Sequence, residues 1–134
     1  MYFIKGDRGK KIMKKFLNDV DTFLHESLSG FAEAHKDIVH VNLDPFYVTR
    51  KIINPNKVLL VSGGGSGHEP LHTGYIGEGM LDIACPGHIF TSPTPDQMVS
   101  AIEYCKPKKG VLFIVKNYSG DVMNFEMAAE MIPS

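Results

Sequence analysis

Lys57-Val58-Leu59-Leu60-Val61-Ser62, running without a break into Gly63-Gly64-Gly65-Ser66-Gly67-His68-Glu69-Pro70, decides the reading of the fold. The first half is a short apolar run with no polar alternation. That pattern predicts a strand buried on both faces, as in a parallel sheet. A second run of the same kind is Gly110-Val111-Leu112-Phe113-Ile114-Val115-Lys116. Between the two lies a helix start, with Thr94 as N-cap, Pro95 at the first helical position and Asp96 in the first turn. Met98, Ala101, Ile102 and Cys105 give that helix one apolar stripe. After the second run, Ser119-Gly120-Asp121 opens another helix, with Val122, Phe125, Ala129 and Ile132 as its stripe. Strand, helical crossover, strand, helix predicts an α/β fold, a parallel sheet sandwiched by helices on both faces. The chain stops at Met131-Ile132-Pro133-Ser134 while a helix still needs packing, so the fold is expected to be incomplete at its C-terminus.

Upstream, Phe16, Leu17, Val20, Phe23, Leu24, Leu28 and Phe31 recur at three- and four-residue spacing, which predicts a helix from Met13. Gly30 falls near its end, with Phe31 and Ala34 able to extend it. Val39–Leu43 reads as a short strand and Asp44-Pro45 as the turn after it. Residues 1–12 have no clear period. Lys10, Lys11, Lys14 and Lys15 read as a solvated helix end.

The 134 residues are 43% hydrophobic and 22% charged, which suits one globular domain and excludes a disordered chain. With 14 basic and 15 acidic residues the formal net charge is -1, so no basic excess marks a nucleic-acid binder. Cys85 and Cys105 show neither a CxxC pair nor a metal-type spacing and are expected to be free buried thiols. No apolar run has the length of a membrane span, and Met1–Ile12 lacks the apolar segment of a signal peptide. A cytoplasmic location is the resulting expectation.

Both strong strands end in polar, glycine-bearing loops, Gly63 to Pro70 and Lys116 to Asp121. Ligands of open α/β sheets sit outside the carboxyl ends of strands, so the two segments are expected to meet on one rim. Four glycines in the five residues Gly63–Gly67 serve either a tight turn or the close approach of a ligand. Neither the G-x-G-x-x-G nor the Walker A pattern is met. His68-Glu69-Pro70-Leu71-His72 matches H-E-x-x-H, but Pro70 breaks the continuous helix that a zinc site of that type requires. No metal ligand is therefore assigned, and His72 reads as a partly buried histidine on a short helix. His68 at the glycine exit is a candidate proton acceptor. Asp121 reads either as a first-turn helix acid or as its acidic partner, and Lys116 either as a surface lysine or as a polar donor on the same rim. Thr91-Ser92-Pro93-Thr94-Pro95 is a rigid, hydroxyl-rich loop.

Six blocks, in order, resemble the dihydroxyacetone kinase family: Asp44–Arg50, Ser62–Pro70, His72–Gly77, Ala84–Gly87, Ile89–Pro95, and Val115–Asp121 followed by Asn124-Phe125-Glu126. The resemblance runs from about Met13 to the end. It implies that residues 13–134 are the N-terminal part of a substrate-binding domain, with residues 1–12 an extension. It further implies that Gly65, Ser66, Gly67 and His68 contact dihydroxyacetone, that Lys116 and Asp121 bind its oxygens, and that His68 accepts the hydroxyl proton with Asp121 as helper. ADP or ATP with magnesium is expected on a separate nucleotide-binding subunit or domain, none on this chain, and the substrate subunit is expected to be a homodimer. Family members are more than twice as long and hold the substrate carbonyl as a hemiaminal on a histidine of their second half. No residue here matches that histidine, so this chain alone is expected to be inactive. The phosphoryl donor, phosphoenolpyruvate-linked or ATP, stays open. So does the alternative of a non-catalytic co-activator that senses dihydroxyacetone.

Overall fold

A computed structural model describes residues 3–5 and 11–133. Two short strands, β1 (Phe3–Lys5) and β2 (Lys11–Met13), pair antiparallel with Ile4 opposite Ile12. Lys10 lies outside the described residues. Lys14 and Lys15 are exposed as expected, but they precede any helix.

The first helix, α1 (Phe23–Ala34), starts ten residues later than its periodicity predicts. Before it, the Asp19 carboxylate accepts the Asp21 N–H at 2.8 Å, a local alternative to helical hydrogen bonding. Thr22 O then accepts the Glu26 N–H at 2.9 Å and the helix proceeds. Phe16 and Val20, expected on the apolar stripe, stand exposed, whereas Leu28 is buried and Leu24 and Phe31 pack beside it. Gly30 lies inside the helix and Phe31 and Ala34 do extend it.

The sheet has five strands in the order β3 (Val39–Leu43), β4 (Phe46–Arg50), β6 (Ile83–Ile89), β5 (Leu59–Ser66), β7 (Val111–Ile114). β5 is parallel to both β6 and β7, as the two apolar runs predict. The sheet as a whole is mixed, because β3 and β4 form an antiparallel hairpin around Asp44-Pro45 and β4 runs antiparallel to β6. Two strands are additions to the sequence reading. β4 follows directly on the predicted turn. β6 was hidden by Pro86, a residue that cannot donate to a ladder. Its pairing with β4 is confined to Ile83 and Ala84, so at Pro86 the β4 side needs no donor, while β5 continues opposite at Gly64.

Alternation along the strands divides the core. On one face Tyr47, Leu59, Val61, Ile83 and Cys85 pack against α2 (Pro95–Cys105) and α3 (Ser119–Met131). On the other, Val39, Val48, Ala84 and Leu60 pack under α1 with Ile76 and Leu81. Helices therefore cover both faces. The α2 stripe of Met98, Ala101, Ile102 and Cys105 is buried as expected. The α3 stripe is Asp121, Phe125 and Ala128 with Ile132 beside them. Ala129, expected inside, is exposed, one position round from Ala128. Gln97 fixes the α2 start: its Oε1 accepts the Thr94 N–H at 2.9 Å, and its Nε2 donates to Phe46 O at 2.8 Å and Pro86 O at 2.9 Å. Cys85 and Cys105 are free and buried, and burial pushes the Cys105 thiol up to about 12. Among the described residues no helix is long and apolar enough to cross a membrane.

Candidate functional site

The glycine run is strand, not loop. β5 continues through Ser66, and Gly63, Gly64 and Gly65 are buried within it. Close approach explains them. A Cβ at Gly63 would lie 2.5 Å from Cys85 O, one at Gly65 2.6 Å from Thr91 N, and one at Gly64 2.5 Å from Lys116 Nζ. The turn itself falls to Gly67, whose φ of +110° suits glycine. Its N–H donates to both Glu69 carboxylate oxygens, at 3.0 and 3.2 Å, so this turn already holds an anion of its own. The H-E-x-x-H stretch is turn from Gly67 to His72, which removes the one-turn helical spacing that motif needs.

The two predicted segments do converge. Gly65, His68, Lys116 and Asp121 line one cavity of about 310 Å³ at the carboxyl ends of β5 and β7, together with Phe90, Ser92 and Tyr118. Asp121 sits in the first turn of α3, 2% exposed, with Oδ2 3.7 Å from Lys116 Nζ and Oδ1 accepting no hydrogen bond from the described residues. The Lys116 ammonium also lies 5.1 Å from the centre of the Tyr118 ring. His68 is exposed on the turn, its ring edge-to-face with Phe90 at 5.2 Å. No hydrogen bond joins His68 to Asp121.

Ser66 and Gly67 do not line the cavity. The Ser66 hydroxyl donates to Gly87 O at 2.7 Å, tying β5 to β6, and the side chain is buried there. Its register shift, with Ser66 opposite Ile89 and Gly65 opposite Gly87, is a bulge beside the site.

Phe90 and Tyr118 are additions to the sequence reading, while Ser92 reads there only as part of a rigid loop and His72 as a partly buried histidine on a short helix. Phe90 has a φ of 50°, a region that disfavours a bulky side chain and that clusters near functional sites. Nothing in the local sequence signals it. Ser92 reaches the cavity past Gly120, where a Cβ would lie 2.9 Å from its Oγ. Tyr118 stands between the two noted residues Lys116 and Asp121. His72, in place of a short helix, occupies the turn before a 3-10 segment (Thr73–Tyr75) and is buried. Burial chiefly, then the Lys116 ammonium, lowers its proton affinity, against the opposing pull of Asp121.

The Dak1 domain model matches residues 29–134. The chain belongs to the Dak1 domain family. Among curated Dak1 relatives, the dihydroxyacetone-binding subunit DhaK of the PEP-dependent dihydroxyacetone kinase of Escherichia coli (strain K12) is 54% identical over 121 residues, 90% of this chain and 34% of that protein. The corresponding subunit of the PTS-dependent dihydroxyacetone kinase 1 of Listeria innocua is 52% identical over 89% of this chain and 36% of that protein. This chain thus spans about a third of their length. Among solved structures, the native dihydroxyacetone kinase of C. freundii superposes with a TM-score of 0.82 at 38% identity, covering 90% of this chain and 23% of that one. The dihydroxyacetone kinase operon co-activator Dha-DhaQ superposes with a TM-score of 0.73 at 34% identity, covering 79% of this chain and 32% of that one.

Proposed function

We propose that this chain binds dihydroxyacetone as the N-terminal part, residues 13–134, of the substrate-binding domain of a dihydroxyacetone kinase. One observation carries the reading. A buried carboxylate, Asp121, lines a cavity with one oxygen near an ammonium and the other without a donor among the described residues. A buried acceptor left unpaired is costly, and a ligand hydroxyl entering the cavity supplies the missing donor. A three-carbon ketone diol fits a cavity of about 310 Å³ whose β5 wall is the bare backbone of Gly65.

The division of labour follows from chemistry and position. Lys116 donates to a substrate oxygen, carbonyl or hydroxyl. Asp121 accepts a substrate hydroxyl. His68, exposed and on the opposite segment, takes the hydroxyl proton as the oxygen becomes the nucleophile toward phosphorus. ADP or ATP with magnesium belongs to a partner subunit or domain in this reading. The occupied Gly67 turn supports that division, since its N–H already holds the Glu69 carboxylate. The intact pair His68 and Asp121 favours the kinase over the co-activator reading that the Dha-DhaQ likeness would support.

Titration of the 134-residue chain with dihydroxyacetone tests the binding half, with backbone amides read by NMR. Gly65, His68, Lys116 and Asp121 should shift on addition of ligand to roughly 10 mM, above the usual range of KM values. Silence at all four would overturn the assignment. In a longer protein joined by its nucleotide-bearing partner, His68→Ala should reduce turnover about 100-fold, the scale of losing a general base. Undiminished turnover at saturating substrate would remove His68 from that role.

A further inference from the structure

Lys116 borders two cavities. One is the candidate site, with Asp121. The other, of about 360 Å³, is walled by Leu60, Leu71, Tyr75, Met80, Leu81 and Ile114, and no carboxylate among the described residues lines it. A lysine stem of four carbons is flexible enough to swing between such spaces; Asp121 and the Tyr118 ring draw the ammonium to one side, and the groups packed around its stem limit the other. Two features meet there. A Cβ at Gly64 would lie 2.5 Å from Lys116 Nζ and 2.9 Å from His72 Cε1, so the ammonium and the imidazole lie over the same bare strand position. His72 is 8% exposed and lines the apolar cavity beside Lys116.

We propose that His72 and Gly64 are positioning residues for Lys116: Gly64 leaves the floor open for the ammonium, and the neutral His72 ring occupies the space into which it would otherwise retreat. The role assigned to Lys116 rests on the dihydroxyacetone-site reading above, whereas the placement of its ammonium does not. Charge acts in the same sense. The groups that face His72 are Lys116 after β7, Asp121 from α3 and His68 from the Gly67 turn, with the uncharged Tyr75 and Ser62 lining the same cavity. A proton on His72 would set a second cation beside Lys116, and the lowered proton affinity of the ring keeps it neutral at pH 7. Neither residue touches the substrate cavity itself, so their effect passes through Lys116.

Ring titration by NMR in the 134-residue chain tests the placement without any ligand. His72 should titrate below the ordinary 6.5 and move up in Lys116→Met, because removing the neighbouring cation relieves the proton. An unchanged midpoint in Lys116→Met would show that ring and ammonium are not neighbours and would overturn the proposal. Calorimetry supplies the functional arm. His72→Ala should weaken dihydroxyacetone about tenfold, the scale of losing one hydrogen bond to a charged group, and the neutral His72→Gln should restore most of it. Binding by His72→Ala as tight as the parent's would also overturn the proposal. Should the parent chain bind no dihydroxyacetone, the substrate reading fails while the titration still decides the positioning. A poorly folded His72→Ala variant leaves that decision to Lys116→Met.

Discussion

At Gly65 a side chain would meet the main chain before it met a ligand. An added Cβ would lie 2.6 Å from Thr91 N and 2.8 Å from Phe90 C, and the backbone of that one peptide has little room to give. A reading of the glycine run as a loop makes Gly65→Val a clean block to binding in an intact fold. The geometry reverses that. Gly65→Ala should lower stability by roughly 1–3 kcal/mol, the cost of overpacking a filled core, with the loss visible in urea unfolding without ligand. An unchanged urea midpoint would restore the loop reading. His72 supplies the residue scale's other prediction, a dependence on pH. Its proton affinity is lowered in the fold, chiefly by burial and next by Lys116, so below 6.5 the unfolded chain binds the proton more readily than the native one. The contribution of His72 to stability is complete above that pH and declines as pH falls toward the folded value. The urea midpoint of the parent should therefore drop faster between pH 7 and about 5 than that of His72→Gln, which has no proton to take up. Parallel curves would show that His72 does not titrate against the fold.

Gln97 ties three elements at one point. Its amide accepts from the Thr94 N–H that opens α2 and donates to carbonyls of β4 and β6. Gln97→Leu keeps similar bulk but strands three backbone groups. At about 1 kcal/mol or more for each buried group left unpaired, the loss should be on the order of 3 kcal/mol. A loss under half of that, measured by urea unfolding, would mean solvent or a shifted backbone satisfies them. The same residues explain what was legible in the sequence. β5, β7 and the α2 start were readable because each is specified locally, by a continuous apolar run or by the Thr94-Pro95-Asp96 signal. β6 was not, since Pro86 argues against a central strand until it is known that β4 stops pairing at Ala84. The start of α1 was misread because Phe16 and Val20 continue its period while the Asp19 side chain diverts the backbone. At the site, His68, Lys116 and Asp121 followed from strand ends alone. Phe90 and Ser92 follow β6, and a strand not foreseen carries no site residues with it; His72 reads from sequence as a partly buried histidine, and only the fold of the Gly67 turn brings it beside Lys116.

Across the whole molecule, packing is uneven. β5 has neighbours on both sides, whereas β7 is the sheet edge, with Leu112, Ile114 and Val115 exposed. α3 is held along one stripe, through Phe125 edge-to-face on Phe113 at 5.2 Å, Ala128, and the Asn124 amide donating to Pro93 O at 2.8 Å. Its other face exposes Met123, Met127 and Met131. An open strand edge beside an apolar helix face suits coverage by further chain or another molecule, and the E. coli relative is more than twice as long as this chain. Local opening follows local burial, so residues 121–132 should be among the faster-exchanging helical segments of this chain, behind α2, whose stripe is buried throughout. If the longer chain of the E. coli relative packs on the corresponding helix, that helix should exchange slowly there. Hydrogen exchange on the two proteins side by side reads this directly. Strong and equal protection of residues 121–132 in both would mean that α3 needs no further partner and that the 134 residues form a self-sufficient unit.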